Sequence, residues 1–317
     1  MSGKNVGASV YQRLRNLSKE RGLDMPGLLR RYAQERLLYR LSVSEYAENF
    51  CIKGGVLLSA YNRGDLLRPT EDVDFNGFDR EANIHDLEKV LRSILTLPVD
   101  DDGVTFDVES MKIEKDRTGI IPGGKIALRA AVHTADVLVR VDVGFGNPVN
   151  PDAKWIKMPT LLDGTAPQPE VLAYPLETVI AEKLHAMVEF GMANTRVKDY
   201  FDIWMLSRLH SFEGDALTAA VAETFSVQER EIPPAEIDGL TQDFAEDAED
   251  MWNAFLKRID ARSRVLFPDV VADLSEMLHP ITEAARIGEV FHGTWRPGEG
   301  WQELANEPAN ELSSPGL

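Results

Sequence analysis

Lys53-Gly54-Gly55-Val56-Leu57-Leu58, followed by Arg68-Pro69-Thr70-Glu71-Asp72-Val73-Asp74-Phe75, decides how this chain is read. It predicts a small-residue turn, a helix near 55–62, and then a strand near 72–77 carrying two carboxylates. Side chains alternate along a strand, so Asp72 and Asp74 share one side while Val73 and Phe75 point into the core. Two carboxylates on one side suit Mg²⁺, a hard cation that keeps several waters and bridges substrate phosphates. A pair of such ions clamps the attacking and leaving oxygens of a phosphoryl displacement. Gly54 and Gly55 allow close backbone approach at the start of a helix, where N–H groups favour anions.

A third carboxylate comes from Asp136-Val137-Leu138-Val139-Arg140-Val141-Asp142-Val143, whose β-branched residues predict a strand. Arg140 and Asp142 lie on the face opposite Val139, Val141 and Val143. A strand beside Asp72 and Asp74 therefore brings Asp142 to the same metals. Gly119-Ile120-Ile121-Pro122-Gly123-Gly124-Lys125 has the spacing of a phosphate-binding loop, but Ile126 stands where a hydroxyl is needed and the following pattern is strand-like. A hairpin turn is the expected structure there.

Three ordered motifs across residues 53–203 resemble the AbiEii/Men-type nucleotidyltransferase toxins of the DNA-polymerase-β-like superfamily. The first is the Gly-Gly helix with Arg68-x-Thr70-x-Asp72-x-Asp74. The second is Glu182-Lys183-Leu184-His185-Ala186-Met187, with Met187 where Leu is more usual. The third is Arg196-Val197-Lys198-Asp199-Tyr200-Phe201-Asp202. The resemblance implies an α+β fold, with a polymerase-β-like core of mixed sheet and helices followed by a helical C-terminal domain. It implies transfer of a nucleotide from an NTP to an acceptor hydroxyl with two Mg²⁺ ions held by Asp72, Asp74 and Asp142. Lys183 and Asp199 join the catalytic set. Gly54, Gly55, Arg68, Lys183, Arg196, Lys198 and Asp202 are the nucleotide-binding candidates. It also implies a two-gene toxin–antitoxin or phage-defence setting, a separately encoded antitoxin as partner, and a tRNA 3′ end or other RNA as acceptor.

The helical motifs also have a reading of their own. From Pro175 to Phe190, Leu176, Val179, Ile180, Leu184 and Val188 recur at helical spacing and place Lys183 one step off the apolar stripe. An ammonium there can hold triphosphate oxygens. The next helix turns Phe201, Trp204 and Leu209 inward, so Asp199 and Asp202, three apart, are expected close together on its surface.

Composition sets limits. The chain has 317 residues, 44% apolar and 27% charged, which is enough for two packed units. No apolar run is long enough for a membrane span and no signal-peptide pattern opens the chain, so a cytoplasmic protein without membrane contact is expected. Cys51 is the only cysteine, which excludes an internal disulfide and a Cys-rich zinc site. The formal charge of −18 argues against nucleic acid as a partner until its distribution is seen. Residues 211–317 hold 22 acids and 7 bases, leaving 30 and 27 in residues 1–210. Lys and Arg at 53, 63, 68, 183, 196 and 198 crowd the motifs, and Arg30, Arg31, Arg36 and Arg40 punctuate an N-terminal helix. Such a patch attracts nucleotides or an RNA end, although helical Arg runs also occur as plain solvated faces.

Two other functions compete. One is a nucleotidyltransferase for a small cationic acceptor such as an aminoglycoside, which the acidity fits. The other is a non-catalytic nucleotide-binding or protein-binding partner, since fold does not fix function. The expected organisation is N-terminal helices over 1–50, a catalytic core over 51–147 and a Pro-rich linker over 148–170. A helical domain over 171–292 and a loose tail over 293–317 complete it.

Overall fold

The computed structural model describes residues 5–62, 69–78, 84–116, 123–234, 236–261 and 265–302. Two helices open it, α1 (Val6–Arg21) and α2 (Met25–Ser42). Asn5 and Asp24 cap them, each side chain accepting an otherwise orphaned N–H, and Gly22 ends α1 with a left-handed φ of 66°. Then follow β1 (Phe50–Lys53), α3 (Gly54–Tyr61), β2 (Asp72–Gly77), α4 (Ile84–Leu95), β3 (Val104–Asp116), β4 (Gly123–Val132), β5 (Ala135–Phe145), β6 (Lys154–Lys157) and β7 (Glu170–Ala173).

These strands make one mixed sheet in the order β3-β4-β5-β2-β1-β7-β6. β2 runs parallel to β5 and β1 parallel to β7, while the other pairs are antiparallel. Strict alternation makes the sheet two-faced. On β2, Val73 and Phe75 are buried, and Phe50, Phe75 and Val143 gather with Leu37 and Leu41 of α2 and Leu91 and Ile94 of α4. The opposite face carries Asp72 and Asp74. Helices α2 and α4 thus cover the apolar side, and the carboxylates lie on the other.

The remainder is mainly helical: α5 (Leu176–Phe190), α6 (Val197–Leu209), β8 (Phe212–Glu213), α7 (Gly214–Val227), α8 (Gln242–Asp247), α9 (Glu249–Arg258), α10 (Phe267–Ile287), β9 (Thr294–Arg296) and β10 (Gly300–Gln302). An aromatic cluster joins α6, α8, α9 and α10. Trp252 stacks on Phe267 at 4.9 Å, and Tyr200, Phe201, Phe244 and Phe255 pack around them.

Several expectations change. Residues 45–49 form turns, and a strand that the sequence pattern does not announce, β1, lies between them and the Gly-Gly pair. The stretch read as a linker over 148–170 contains β6 and is tied to the N-terminal helices. Leu161 N–H donates to Glu35 at 2.8 Å and Arg36 donates to the Pro167 carbonyl at 2.9 Å. Within the helical domain, residues 238–258 form a 3₁₀ turn, α8 and α9 rather than one continuous helix. At Gly239 a Cβ would lie only 2.8 Å from Tyr200 Oη, so this turn packs where a helix of larger residues would not. The C-terminal segment is docked as far as residue 302. Trp295 Nε1 donates to Ser207 O at 2.8 Å and Trp301 Nε1 to Met277 O at 3.0 Å, and β8, β9 and β10 form a small antiparallel sheet.

Arg36 and Arg40 are not part of any exposed basic patch. Both are buried: Arg36 pairs with Glu35, and Arg40 makes two hydrogen bonds to Asp102 at 2.7 and 3.3 Å. Such pairs consume the charge that an RNA would otherwise meet. Strands β3 and β4 pair antiparallel up to Asp116 and Gly123, as a hairpin requires, and the intervening residues 117–122 lie outside the described residues. Among the described residues no helix is long and apolar enough to cross a membrane.

Candidate active site

Register brings the three predicted carboxylates together. In the parallel β2–β5 ladder Asp72 pairs with Arg140 and Asp74 with Asp142, so all four share the polar face of the sheet. Burial pushes the Asp74 carboxyl up to about 6; Asp142 and Asp72 add to that rise, while the charges of Lys53 and Lys198 oppose it. Asp72 Oδ1 is buried without a hydrogen-bond partner. Arg140 is turned to Glu71 at 2.8 Å. The sheet row continues from Asp142 to Lys125 of β4, directly opposite and exposed. This lysine belongs to the segment with false phosphate-loop spacing, and only the strand pairing reveals that it borders the site.

The donor chemistry fits a hard divalent cation. An orphaned buried carboxylate oxygen and a neighbouring carboxyl destabilised by burial and by like charges are both relieved by a positive ion with oxygen coordination. The side chains are not drawn into a closed ligand set as they stand. Among the described residues no three His, Cys, Asp or Glu side chains are at metal-ligand spacing.

Gly54 has a role that its sequence position does not disclose. Its φ is +69°, and a Cβ built there would lie 1.9 Å from Asp74 Oδ2. The first turn of α3 is therefore open so that the Asp74 carboxylate can lie against it. Gly54→Ala is expected to displace that carboxylate and to strain the backbone. The result should be loss of transfer activity by roughly 100-fold or more and destabilisation of about 1–2 kcal/mol, read by steady-state kinetics and urea denaturation. Gly55 follows, buried inside α3.

Lys183 emerges from α5 into a buried ion cluster. Its Nζ is 2.6 Å from Asp199 Oδ1 and 2.8 Å from Asp202 Oδ2, and Arg196 Nε reaches Asp199 Oδ2 at 2.6 Å. The expectation that Asp199 and Asp202 lie on the surface of α6 is corrected: they are 1% and 0% exposed. Helix α6 turns both carboxylates toward α5, where Lys183 neutralises them. Burial pushes the Asp199 carboxyl up, but Lys183 and Arg196 overcome it and hold Asp199 well below the usual carboxylate range. Lys198, in the first turn of α6, is exposed and close enough for its charge to reach Asp74. Arg68 lies outside the described residues.

The sequence reading assigned no role to Glu182 or Tyr174. Glu182 binds Lys53 through both oxygens at 2.9 Å, and Tyr174 Oη donates to it at 3.1 Å. The signal available was the charge alternation Glu182-Lys183, two opposite charges on adjacent positions of α5. Met187, the departure from the second motif, is fully buried, and methionine for leucine there is a volume-conserving change.

The family model described as "Nucleotidyl transferase AbiEii toxin, Type IV TA system" matches residues 36–272. No curated protein matches the chain. Similar solved structures include JHP933 from Helicobacter pylori, with 15% identity and a TM-score of 0.46 over 84% of this chain and 94% of that one. Another is MenT4, a nucleotidyltransferase toxin from Mycobacterium tuberculosis H37Rv, with 16% identity and a TM-score of 0.49 over 88% of this chain and 99% of that one.

Proposed function

From the premise that the chain belongs to the AbiEii nucleotidyltransferase toxin family and is a nucleotidyltransferase, we propose that it moves a nucleotide from an NTP to the 3′ end of tRNA, using Asp72, Asp74 and Asp142. The observation that carries this reading is the juxtaposition of Asp74 with Asp142 across β2 and β5, with Gly54 cleared to receive the Asp74 carboxylate. Two Mg²⁺ ions held by the three aspartates would neutralise phosphate charge and lower the pKa of the acceptor hydroxyl.

The chain's own residues do the rest. Asp142 accepts the proton of the acceptor hydroxyl as its oxygen attacks the α-phosphorus. The bond from that phosphorus to the β-phosphate oxygen breaks, and pyrophosphate leaves. Lys183, with Lys198 and Arg196 at the start of α6, faces the triphosphate and offsets the charge that grows on the leaving group. Asp199 and Asp202 hold Lys183 in place for that task. The Gly54-Gly55 turn and Arg68 complete the nucleotide cradle. Because little covalent chemistry is asked of the protein, positioning and charge account for the rate.

The acceptor reading is supported by charge placement: the acidity is concentrated in residues 211–317, while Lys125 and Lys198 flank the carboxylates. The family's type IV toxin–antitoxin setting implies an antitoxin partner. We place the enzyme in the cytoplasm, as a growth-arresting toxin or a phage-defence effector. The test is transfer from each of four α-labelled NTPs, with Mg²⁺, to total tRNA and to a panel of aminoglycosides. Label on tRNA supports the reading and identifies the nucleotide. Label on an aminoglycoside alone makes the protein a small-molecule enzyme, and label on neither overturns the tRNA assignment.

A further inference from the structure

One ion cluster beside the carboxylates is unused by the chemistry above. Lys53 ends β1 and lies directly opposite Asp74 in the β1–β2 ladder, so the two side chains leave the same face of the sheet. Its Nζ turns to Glu182 of α5, 2.9 Å from both carboxylate oxygens, and lies 5.4 Å from the centre of the Tyr174 ring. Tyr174 is itself fixed. Its N–H donates to Ile52 O at 3.0 Å, its carbonyl accepts from Tyr61 Oη at 2.7 Å, and its own hydroxyl reaches Glu182. β1, the β7–α5 junction and α5 therefore meet at one lysine, and α3 joins them through Tyr61 on the Tyr174 carbonyl. Glu182 and Lys183 are consecutive on α5, so the helix is anchored to β1 by one residue and to α6 by the next.

Resting on the site reading given under Proposed function, we propose that Lys53 is a positioning residue of the transfer reaction, whose clasp with Glu182 and Tyr174 fixes the distance between Lys183 on α5 and Asp74 on β2. A displacement of about 1 Å between reacting groups costs on the order of 100-fold in rate, so such a clasp affects turnover without touching substrate. Its contribution to stability is small by comparison. Lys53 and Glu182 retain 20% and 24% of their side-chain exposure, and partly solvated pairs contribute about 1 kcal/mol or less.

The test uses the full chain carrying Lys53→Met, Lys53→Arg, Glu182→Gln or the Lys53→Met/Glu182→Gln pair, with Asp74→Asn as control. Lys53→Met and Glu182→Gln should each lower kcat for label transfer from an α-labelled NTP to tRNA by roughly 10- to 30-fold, with the nucleotide KM within about threefold. Amide exchange across residues 180–187 should quicken at least about fivefold while the melting temperature moves little. Lys53→Arg should retain most activity, and the pair should lose no more than the worse single variant. Unchanged exchange in Lys53→Met overturns the inference whatever the acceptor. A rise in KM alone also overturns it, by making Lys53 a nucleotide contact, as do single losses that multiply in the pair. An active Asp74→Asn enzyme would remove the site reading and this inference with it, whereas an inactive Asp74→Asn beside a fully active Lys53→Met removes the clasp alone.

Discussion

An Asp74→Asn variant is expected to lose nucleotidyl transfer by roughly 1,000-fold or more and, without divalent cation at pH 7.5, to unfold at a higher temperature than the wild type. The second half follows from burial. Asp74 titrates at about 6 in the folded protein against an ordinary value of 3.8, because burial and the Asp142 and Asp72 carboxylates penalise its charge. Between those values the folded chain binds the extra proton. The stability that protonation provides is fully present below about pH 4 and is lost as pH rises through 6. Above that, the ionised carboxylate costs on the order of 2–3 kcal/mol, which the neutral amide does not incur. Mg²⁺ should raise the wild-type melting temperature at pH 7.5, do so less at pH 5.5, and leave the variant unmoved. Thermal denaturation at the two pH values, with and without Mg²⁺, reads each of these. A variant less stable than wild type at pH 7.5 would show that Asp74 is a structural carboxylate rather than one held ready for a cation.

The second large effect is expected at Asp199. Asp199→Ala strips Lys183 of one of its two aspartates and Arg196 of its carboxylate partner inside a buried cluster. Lys183 keeps Asp202 and Arg196 is half exposed, so the loss comes from the buried charged hydrogen bonds to Asp199, and about 2–3 kcal/mol is expected in urea denaturation at pH 7. Asp199 is held ionised well below its ordinary range by Lys183 and Arg196, against its burial. The stability this contributes is present above about pH 4 and is lost as the pH falls toward the depressed folded value, so the wild type should lose stability below pH 4 more steeply than Asp199→Asn does. Transfer should fall as well, since Lys183 would no longer be held. Lys183→Met combined with Asp199→Asn should cost less than the two single changes added together, because each removes the same contact. Strict additivity would mean that the two residues act independently.

The parts of this fold that the sequence disclosed are those with a strong period or a local motif. Asp72, Val73, Asp74 and Phe75 alternate, so the face of β2 could be read directly, and the valines of β5 did the same for Asp142. The helical spacing of Leu176, Val179, Ile180 and Leu184 placed Lys183 beside the apolar stripe of α5 correctly. β1 was missed for a physical reason: Phe50, Cys51 and Ile52 are all buried, so the four-residue strand has no alternation to read. Residues 148–170 looked like a linker because five prolines punctuate Gly144 to Pro169, yet β6 and β7 pair across them. Partners far apart in sequence were also hidden. Asp102 lies 62 residues from Arg40, and that separation turned a buried ion pair into an apparent surface charge. The same holds for Gly54, whose glycine is required by Asp74, 20 residues later, rather than by phosphate alone. Asp199 and Asp202 looked exposed because charge on a helix usually is, and only the packing of α6 against α5 buries them with Lys183.

The measurement that bears most directly on the account is transfer of label from an α-labelled NTP to tRNA by the wild type and by Asp74→Asn, each first shown to be folded by its melting curve. Labelled tRNA with the wild type and none with the variant is the predicted result. Equal labelling by the two proteins would contradict the assignment of transfer to the β2 carboxylates.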